Sequence, residues 1–276
     1  MASRTVRVGA VMYDPKVSVI WEIIRNFFDD QRVPIDVAFF STYEIQNDAL
    51  LAEKIDIAWN SPLAWLDAQR RSGNRCRAVA MRDTDRDRTS YIVARADGPV
   101  RSAGDLRGRT LAVGASDSPQ ATLIPIGLVR AAGLEPRRDV AIVRHDVLVG
   151  KHGDHVGGEM DALARLKRGE ADATAMLDLN WDAWQHDGTI DPAAFAIVAR
   201  TPQFDHCVFT VREGLPRDVE QAWLDALFAM RYDEPSHREM MDLEGLKAWL
   251  PGRTTGFDAL SASVAAERFF DGAPTT

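Results

Sequence analysis

The feature that most constrains this chain is the alternation of short apolar runs with amphipathic segments. Thr5–Val11 reads as a strand, Val17–Phe28 as a helix and Ile35–Phe40 as a strand. Tyr43–Glu53 follows as a helix, Ile55–Trp59 as a strand and Pro62–Arg71 as a helix. Ser61 stands at the N-cap of that last helix, and Pro62 occupies its first position, where a missing N–H costs nothing. Strands separated by helices pair in parallel through crossovers, so the chain builds an α/β sheet. Arg77–Met81 and Ser90–Ala96 then read as two strands with no helix between them. The polar stretch Arg82–Arg88 reads as a loop that adds nothing to a buried core.

The pattern restarts after Val100. Ser102–Leu106 is a helical turn, Thr110–Val113 a strand, and Ser118–Ala132 a helix closed by Gly133. Val140–Val143 is a strand, Glu159–Lys167 a helix and Ala171–Leu177 a strand. Ala194–Ala199 and Val208–Val211 are strands, and Arg217–Met230 and Glu239–Leu250 form a helical tail. Ser90–Ala96 and Val208–Val211 bracket a self-contained α/β block, which suggests one lobe inserted into another through a two-strand hinge. The division expected is 1–96 plus 201–276 as a discontinuous first lobe and 97–200 as the second. Ligands in such sheets sit at the C-terminal ends of parallel strands.

Composition narrows the function classes. The 276 residues are 46% hydrophobic and 27% charged, which excludes a disordered, collagen-like or coiled-coil chain. A net charge of −8 argues against nucleic acid and against an anionic membrane surface as partners. Two cysteines, Cys76 and Cys207, cannot make a disulfide framework. The first ten residues contain no apolar signal-peptide core, and no run reaches the length of a membrane span. As written, the chain reads as cytoplasmic and not membrane-inserted; a periplasmic place requires that a signal or anchor was removed.

Three stretches resemble a known family. ALLAEKIDIAWNSPLAWL (Ala49–Leu66) resembles a strand and helix of the phosphate- and phosphonate-type solute-binding proteins. VRSAGDLRGRTLAVGASDSPQATLIPIGLVRAAGLEP (Val100–Pro136) is similar to that family's entry into its second lobe, and ALARLKRGEADATAMLDLNWDAW (Ala162–Trp184) to its next helix–strand. The resemblance covers about residues 5–215. It implies a two-lobed type II periplasmic-binding-protein fold that closes on a small ligand. The partners implied are a small anionic or zwitterionic ligand, phosphonate- or carboxylate-like, in the interlobe cleft, and an ABC permease in the case of transport.

The candidate residues stand at strand ends. Ser116, Ser118, Gln120 and Thr122 lie where a strand meets a helix, a natural anion site through free N–H groups and the helix dipole. The plain alternative is that Ser118 is only an N-cap. Asp117 in the same loop opposes a dianion unless it points away. Tyr13, Trp59, Asn60 and Ser61 follow the first and third strands and suit a planar or amphipathic ligand; packing accounts equally for Trp59, and capping for Ser61. Asp178 follows another strand and either pairs with a ligand ammonium, as the resemblance implies, or caps a helix.

Two segments, HGDHVGGE (His152–Glu159) and FDHC (Phe204–Cys207), carry more His and Cys than anion binding needs. His152, His155 and Glu159 form a candidate metal set, and His155 a candidate ligand contact. No cofactor is identified beyond that divalent-metal candidate. The alternative function is therefore a cytoplasmic enzyme on the same fold, a metal-dependent lyase, decarboxylase or hydrolase of an aromatic or heterocyclic acid. It would use His152, His155, Glu159, His206 and Cys207. On an extended segment His206 and Cys207 point to opposite faces, so a partner for Cys207 is sought in His152 or His155, while a buried, inert thiol is the commoner outcome.

Overall fold

In the computed structural model, residues 4–154 and 157–271 are described. The chain divides into two compact units, one of residues 4–86 with 205–256, the other of residues 87–204 with 257–271.

The first unit is built on a six-stranded sheet. Its strands are β1 (Val6–Val11), β2 (Ile35–Phe40), β3 (Ile57–Asn60), β4 (Arg77–Arg82), β10 (Val208–Val211) and β11 (Trp249–Pro251), in the order β11-β4-β10-β3-β1-β2. β2, β1 and β3 are parallel, because α1 (Lys16–Asp30) and α2 (Tyr43–Leu51) return the chain between them. β10 comes from far along the sequence and runs antiparallel between β3 and β4. Val17, Ile20, Trp21, Ile24, Phe27 and Phe28 make a buried stripe on α1 at helical spacing. With Phe209, Trp223, Met240 and Trp249 they form the main core of this unit. Trp223 lies on α7 (Arg217–Phe228) and Met240 on α8 (Pro235–Glu244). α3 (Pro62–Ser72) begins at Ser61, whose hydroxyl accepts from the Ala64 N–H at 3.1 Å. It ends at Gly73, whose φ of 63° suits a residue without Cβ.

The second unit has a five-stranded sheet of order β7-β6-β8-β5-β9. These strands are β5 (Ser90–Arg95), β6 (Thr110–Val113), β7 (Ala141–Arg144), β8 (Ala173–Leu177) and β9 (Phe195–Arg200). β7, β6 and β8 are parallel, and β5 is antiparallel to both β8 and β9. α4 (Ile124–Ala131) covers one face through Val129. α5 (Gly157–Lys167) and α6 (Asp178–His186) cover the other through Leu163, Leu166, Trp181 and Trp184.

Four expectations change. β5 belongs wholly to the second sheet, so Ser90–Ala96 is not a strand of the first lobe. The tail does not stay in the first unit either: α9 (Asp258–Ala266) packs beside α4 in the second. The chain therefore passes between units at 86/87, 204/205 and 256/257, not at two strands. Glu239–Leu250 is not one helix, because α8 stops at Gly245, where φ is 69°, and Trp249–Pro251 pairs with β4 as an edge strand. Finally, Arg82–Arg88 does reach the interior. Asp85 is buried, and Arg82 holds it with two guanidinium bonds of 2.6 and 2.8 Å.

Candidate functional site

The C-terminal end of β6 carries the predicted anion loop. Ser118 caps the following helix, its hydroxyl accepting from the Ala121 N–H at 3.2 Å, with Pro119 at the first helical position. The first turn, Pro119–Leu123, is π-wound before α4 begins. The Leu123 N–H donates to the Ser118 carbonyl five residues back at 3.0 Å, which widens that turn. The backbone donors ahead of it are already engaged: Ser116 N–H by Asp146 at 2.7 Å and Ser118 N–H by the Ala115 carbonyl at 3.0 Å.

Asp117 does not stand open toward a ligand with both oxygens. Its Oδ2 accepts from the N–H groups of Gly150 at 2.5 Å and His152 at 3.4 Å. His152 and Gly150 adopt φ values of 51° and 90°, which bend the 148–153 stretch back over the loop. Gln120 holds the same stretch, its amide donating to the Gly153 carbonyl at 2.7 Å. Among the described residues, three buried side-chain atoms here have no hydrogen-bond partner: Asp117 Oδ1, Gln120 Oε1 and Thr122 Oγ1. Each such atom costs about 1–3 kcal/mol, and native interiors hold few of them.

The end of β8 lies in the same unit. Glu159, buried in the first turn of α5, accepts from the Leu177 N–H at 3.1 Å and the Asn180 amide at 2.7 Å. α5 can start this close to β6 because residue 158 is glycine: a Cβ there would lie 2.8 Å from the His145 carbonyl oxygen and 3.0 Å from the Ala115 nitrogen. Asp178 is the first residue of α6, not its cap, which is Leu177. Its carboxylate accepts from the Leu179 N–H at 2.8 Å and lies 3.6 Å from Arg88. Burial pushes the Asp178 carboxyl up, and Arg88 only partly opposes that. His145, not singled out by the sequence, has a buried Nε2 without a hydrogen-bond partner among the described residues, and burial pushes its imidazole pKa down. His155, the expected ligand contact and the middle member of the candidate metal set with His152 and Glu159, lies outside the described residues.

In the first unit the predicted ligand wall is mostly structural. Trp59 is buried against Phe209, with ring centroids 4.5 Å apart, and lies under the Arg82 guanidinium at 5.3 Å. Asn60 is fully buried, donating to Asn47 at 3.2 Å and Thr210 at 3.1 Å while accepting from Gln46 at 2.8 Å. Ser61 is a buried cap. Tyr13 is half-buried at the rim of the core.

His206 and Cys207 do not point to opposite faces. β10 begins only at Val208, so strand alternation does not govern them. The His206 Nδ1 lies 3.1 Å from Cys207 Sγ and 3.5 Å from Asp85 Oδ1. Burial alone would push the Asp85 carboxyl up, but the Arg82 guanidinium, with help from His206, holds it down at about 2. Among the described residues no disulfide joins Cys76 and Cys207.

This fold, two α/β units with mixed sheets, is that of the periplasmic binding proteins. XAC2383 from Xanthomonas citri, solved bound to ATP, superposes with a TM-score of 0.74 at 19% identity, covering 99% of this chain and 100% of its own. PhnD1 from Prochlorococcus marinus, solved in complex with methylphosphonate, has a TM-score of 0.70 at 14% identity over 96% and 98% of the two chains. A binding protein component of an ABC phosphonate transporter from Pseudomonas aeruginosa has a TM-score of 0.65 at 14% identity, over 98% and 87%. Residues 18–257 match the family described as the periplasmic substrate-binding protein of the phosphonate ABC transporter, and the chain belongs to that family. An uncharacterized protein from Haemophilus influenzae is 56% identical over 32 residues, 12% of this chain; the chain spans 45% of that relative's length. Among the described residues no helix is long and apolar enough to cross a membrane. The enzyme alternative draws no support from these relatives.

Proposed function

We propose that the chain binds a small anionic or zwitterionic organic ligand, phosphonate- or carboxylate-like, and presents it to an ABC permease in the periplasm. The carrying observation is the loop Ser116–Thr122, where Asp117 Oδ1, Gln120 Oε1 and Thr122 Oγ1 are buried without partners among the described residues, in a chain of this family. Thr122 can donate to an oxyanion. Asp117 and Gln120 offer only acceptors, which need donors from the ligand. A ligand with an ammonium or a P–OH beside its oxyanion meets both demands, whereas a bare dianion would face the Asp117 carboxylate. An aminoalkylphosphonate thus fits the loop better than inorganic phosphate. The relative solved with methylphosphonate supports the phosphonate end of this reading.

Isothermal titration with an aminoalkylphosphonate, methylphosphonate, acetate, phosphate and ATP tests it. The expected order places the aminoalkylphosphonate first, with its affinity reduced by Gln120→Ala. Absence of heat with every organic anion, or affinity indifferent to Gln120→Ala, would place binding elsewhere.

A further inference from the structure

We propose that Asp85, His206 and Cys207 form a site for a thiophilic divalent metal ion, with zinc the best match. Among the described residues this is the one group of His, Cys and carboxylate side chains whose ligand atoms all lie within 4.8 Å of one another. All three residues are buried.

The geometry suits a tetrahedral ion. Zinc bonds of about 2.3 Å to sulfur and about 2.0–2.1 Å to nitrogen or oxygen put neighbouring ligand atoms about 3.3–3.6 Å apart. Two edges are 3.1 Å from sulfur to nitrogen and 3.5 Å from nitrogen to oxygen, and the third, from sulfur to oxygen, lies within 4.8 Å, so side-chain shifts of about 1 Å or less bring the three to coordinating distance. One carboxylate, one imidazole and one thiolate are a donor set that zinc accepts and that magnesium and calcium do not favour.

The surrounding charge suits a cation as well. Arg82 bridges Asp85 and Glu244, and Arg253 holds Asp205 through two bonds of 2.6 Å. Three carboxylates against two guanidiniums leave one negative charge, and a Cys207 thiolate adds another. A divalent cation balances both. Asp85 accepts from Arg82 at 2.8 Å through Oδ1, which keeps a second lone pair for a metal. Asp85 lies at the point where the chain leaves the first unit, and His206 and Cys207 lie where it returns. A bound ion would fasten these two segments together.

The alternative is a plain hydrogen-bonded cluster in which Nδ1–H is shared between sulfur and carboxylate. Cobalt separates the two. The full chain, stripped with a chelator, is titrated with Co²⁺ while thiolate-to-cobalt charge-transfer absorption is followed, and Zn²⁺ is then used to displace it. One equivalent of cobalt should give the band and zinc should abolish it. Cys76→Ser should keep the band, Cys207→Ser should lose it, and His206→Gln should weaken binding about tenfold or more. Because the chain has two cysteines, Cys76→Ser alone assigns the thiolate even if Cys207→Ser fails to fold. No stoichiometric cobalt binding, cobalt bound without a thiolate band, or a band lost in Cys76→Ser would each overturn the proposal.

Discussion

The Gln120 side-chain amide donates to the Gly153 carbonyl at 2.7 Å, and residue 153 can be there only because it is glycine. Its φ is 78°, and a Cβ would lie 2.7 Å from Gln120 Nε2 and closer still to Ser118 Oγ. Gly153→Ala should therefore cost about 1–3 kcal/mol, from backbone strain and crowding together. Urea denaturation measures it. A loss under a few tenths of a kcal/mol would mean that the 148–153 stretch can leave the loop freely.

Thr122 gives a prediction of opposite sign. Its hydroxyl is buried without a partner among the described residues, so Thr122→Val removes a group that burdens the unliganded fold. Stability without ligand should rise by up to about 1 kcal/mol. Affinity for a phosphonate should fall in the same protein, since the oxyanion loses a donor. Thermal melts and calorimetry on the one variant read both changes. Lower stability together with unchanged affinity would show that Thr122 has a structural partner and no ligand role.

Asn60 should behave as a structural residue. Asn60→Ala would strip partners from Gln46, Asn47 and Thr210, all buried. The expected cost is about 2–4 kcal/mol of folding stability, from several orphaned groups at once. Ligand affinity of the folded fraction should change little. A selective loss of binding would return Asn60 to the ligand wall.

Acid should expose the Asp85 pair. The carboxyl sits at about 2 when folded, against about 3.9 in an unfolded chain. A depressed folded value contributes stability above the unfolded pKa and loses it as pH falls through the folded one. The stability advantage over Asp85→Asn should be full above about pH 4 and shrink toward pH 2, a change on the order of 2 kcal/mol. Denaturation at a series of pH values checks this. An advantage independent of pH across that window would remove the ionic account.

How much of this was legible in the sequence depends on the range of the interactions. The β1–α1–β2 and β3–α3 alternation was readable because periodicity, the Ser61 cap and Pro62 at the first helical position are local signals. The sheet that β5 joins was not, since its partners Leu177 and Arg200 lie about a hundred residues away. Asp117 drew attention as a charge, but its partners Gly150 and His152 are 33 and 35 residues on. The His206–Cys207 contact was missed for a different reason. Alternating side chains follow from extended backbone, and residues 205–207 precede the strand. Asp85, the third member, sat in a stretch whose polarity concealed its burial.

The carboxylate of Asp56 is fully buried just before β3, an interior strand of the first sheet. It accepts from Arg212 at 2.9 and 3.1 Å, from Arg4 at 3.1 Å, from Arg7 at 3.3 Å and from the Arg7 backbone N–H at 3.0 Å. Burial alone would raise its pKa, but the bonds from Arg7 and Arg212 hold it below the ordinary carboxylate value. Arg212 is itself buried, and its second carboxylate is the exposed Glu53 at 3.1 Å. Asp56→Asn therefore leaves a buried guanidinium with its main counter-charge gone, and the cost should be about 2–4 kcal/mol, near the lower part of the range for breaking buried pairs. Removing both charges as Asp56→Asn with Arg212→Met should recover part of that loss, because the orphaned cation, not the missing attraction, dominates the single variant. Urea midpoints of the two singles and the double close the cycle. A double variant no more stable than Asp56→Asn alone would show that the Arg4 and Arg7 bonds, and not the Arg212 pair, carry the contribution of this carboxylate.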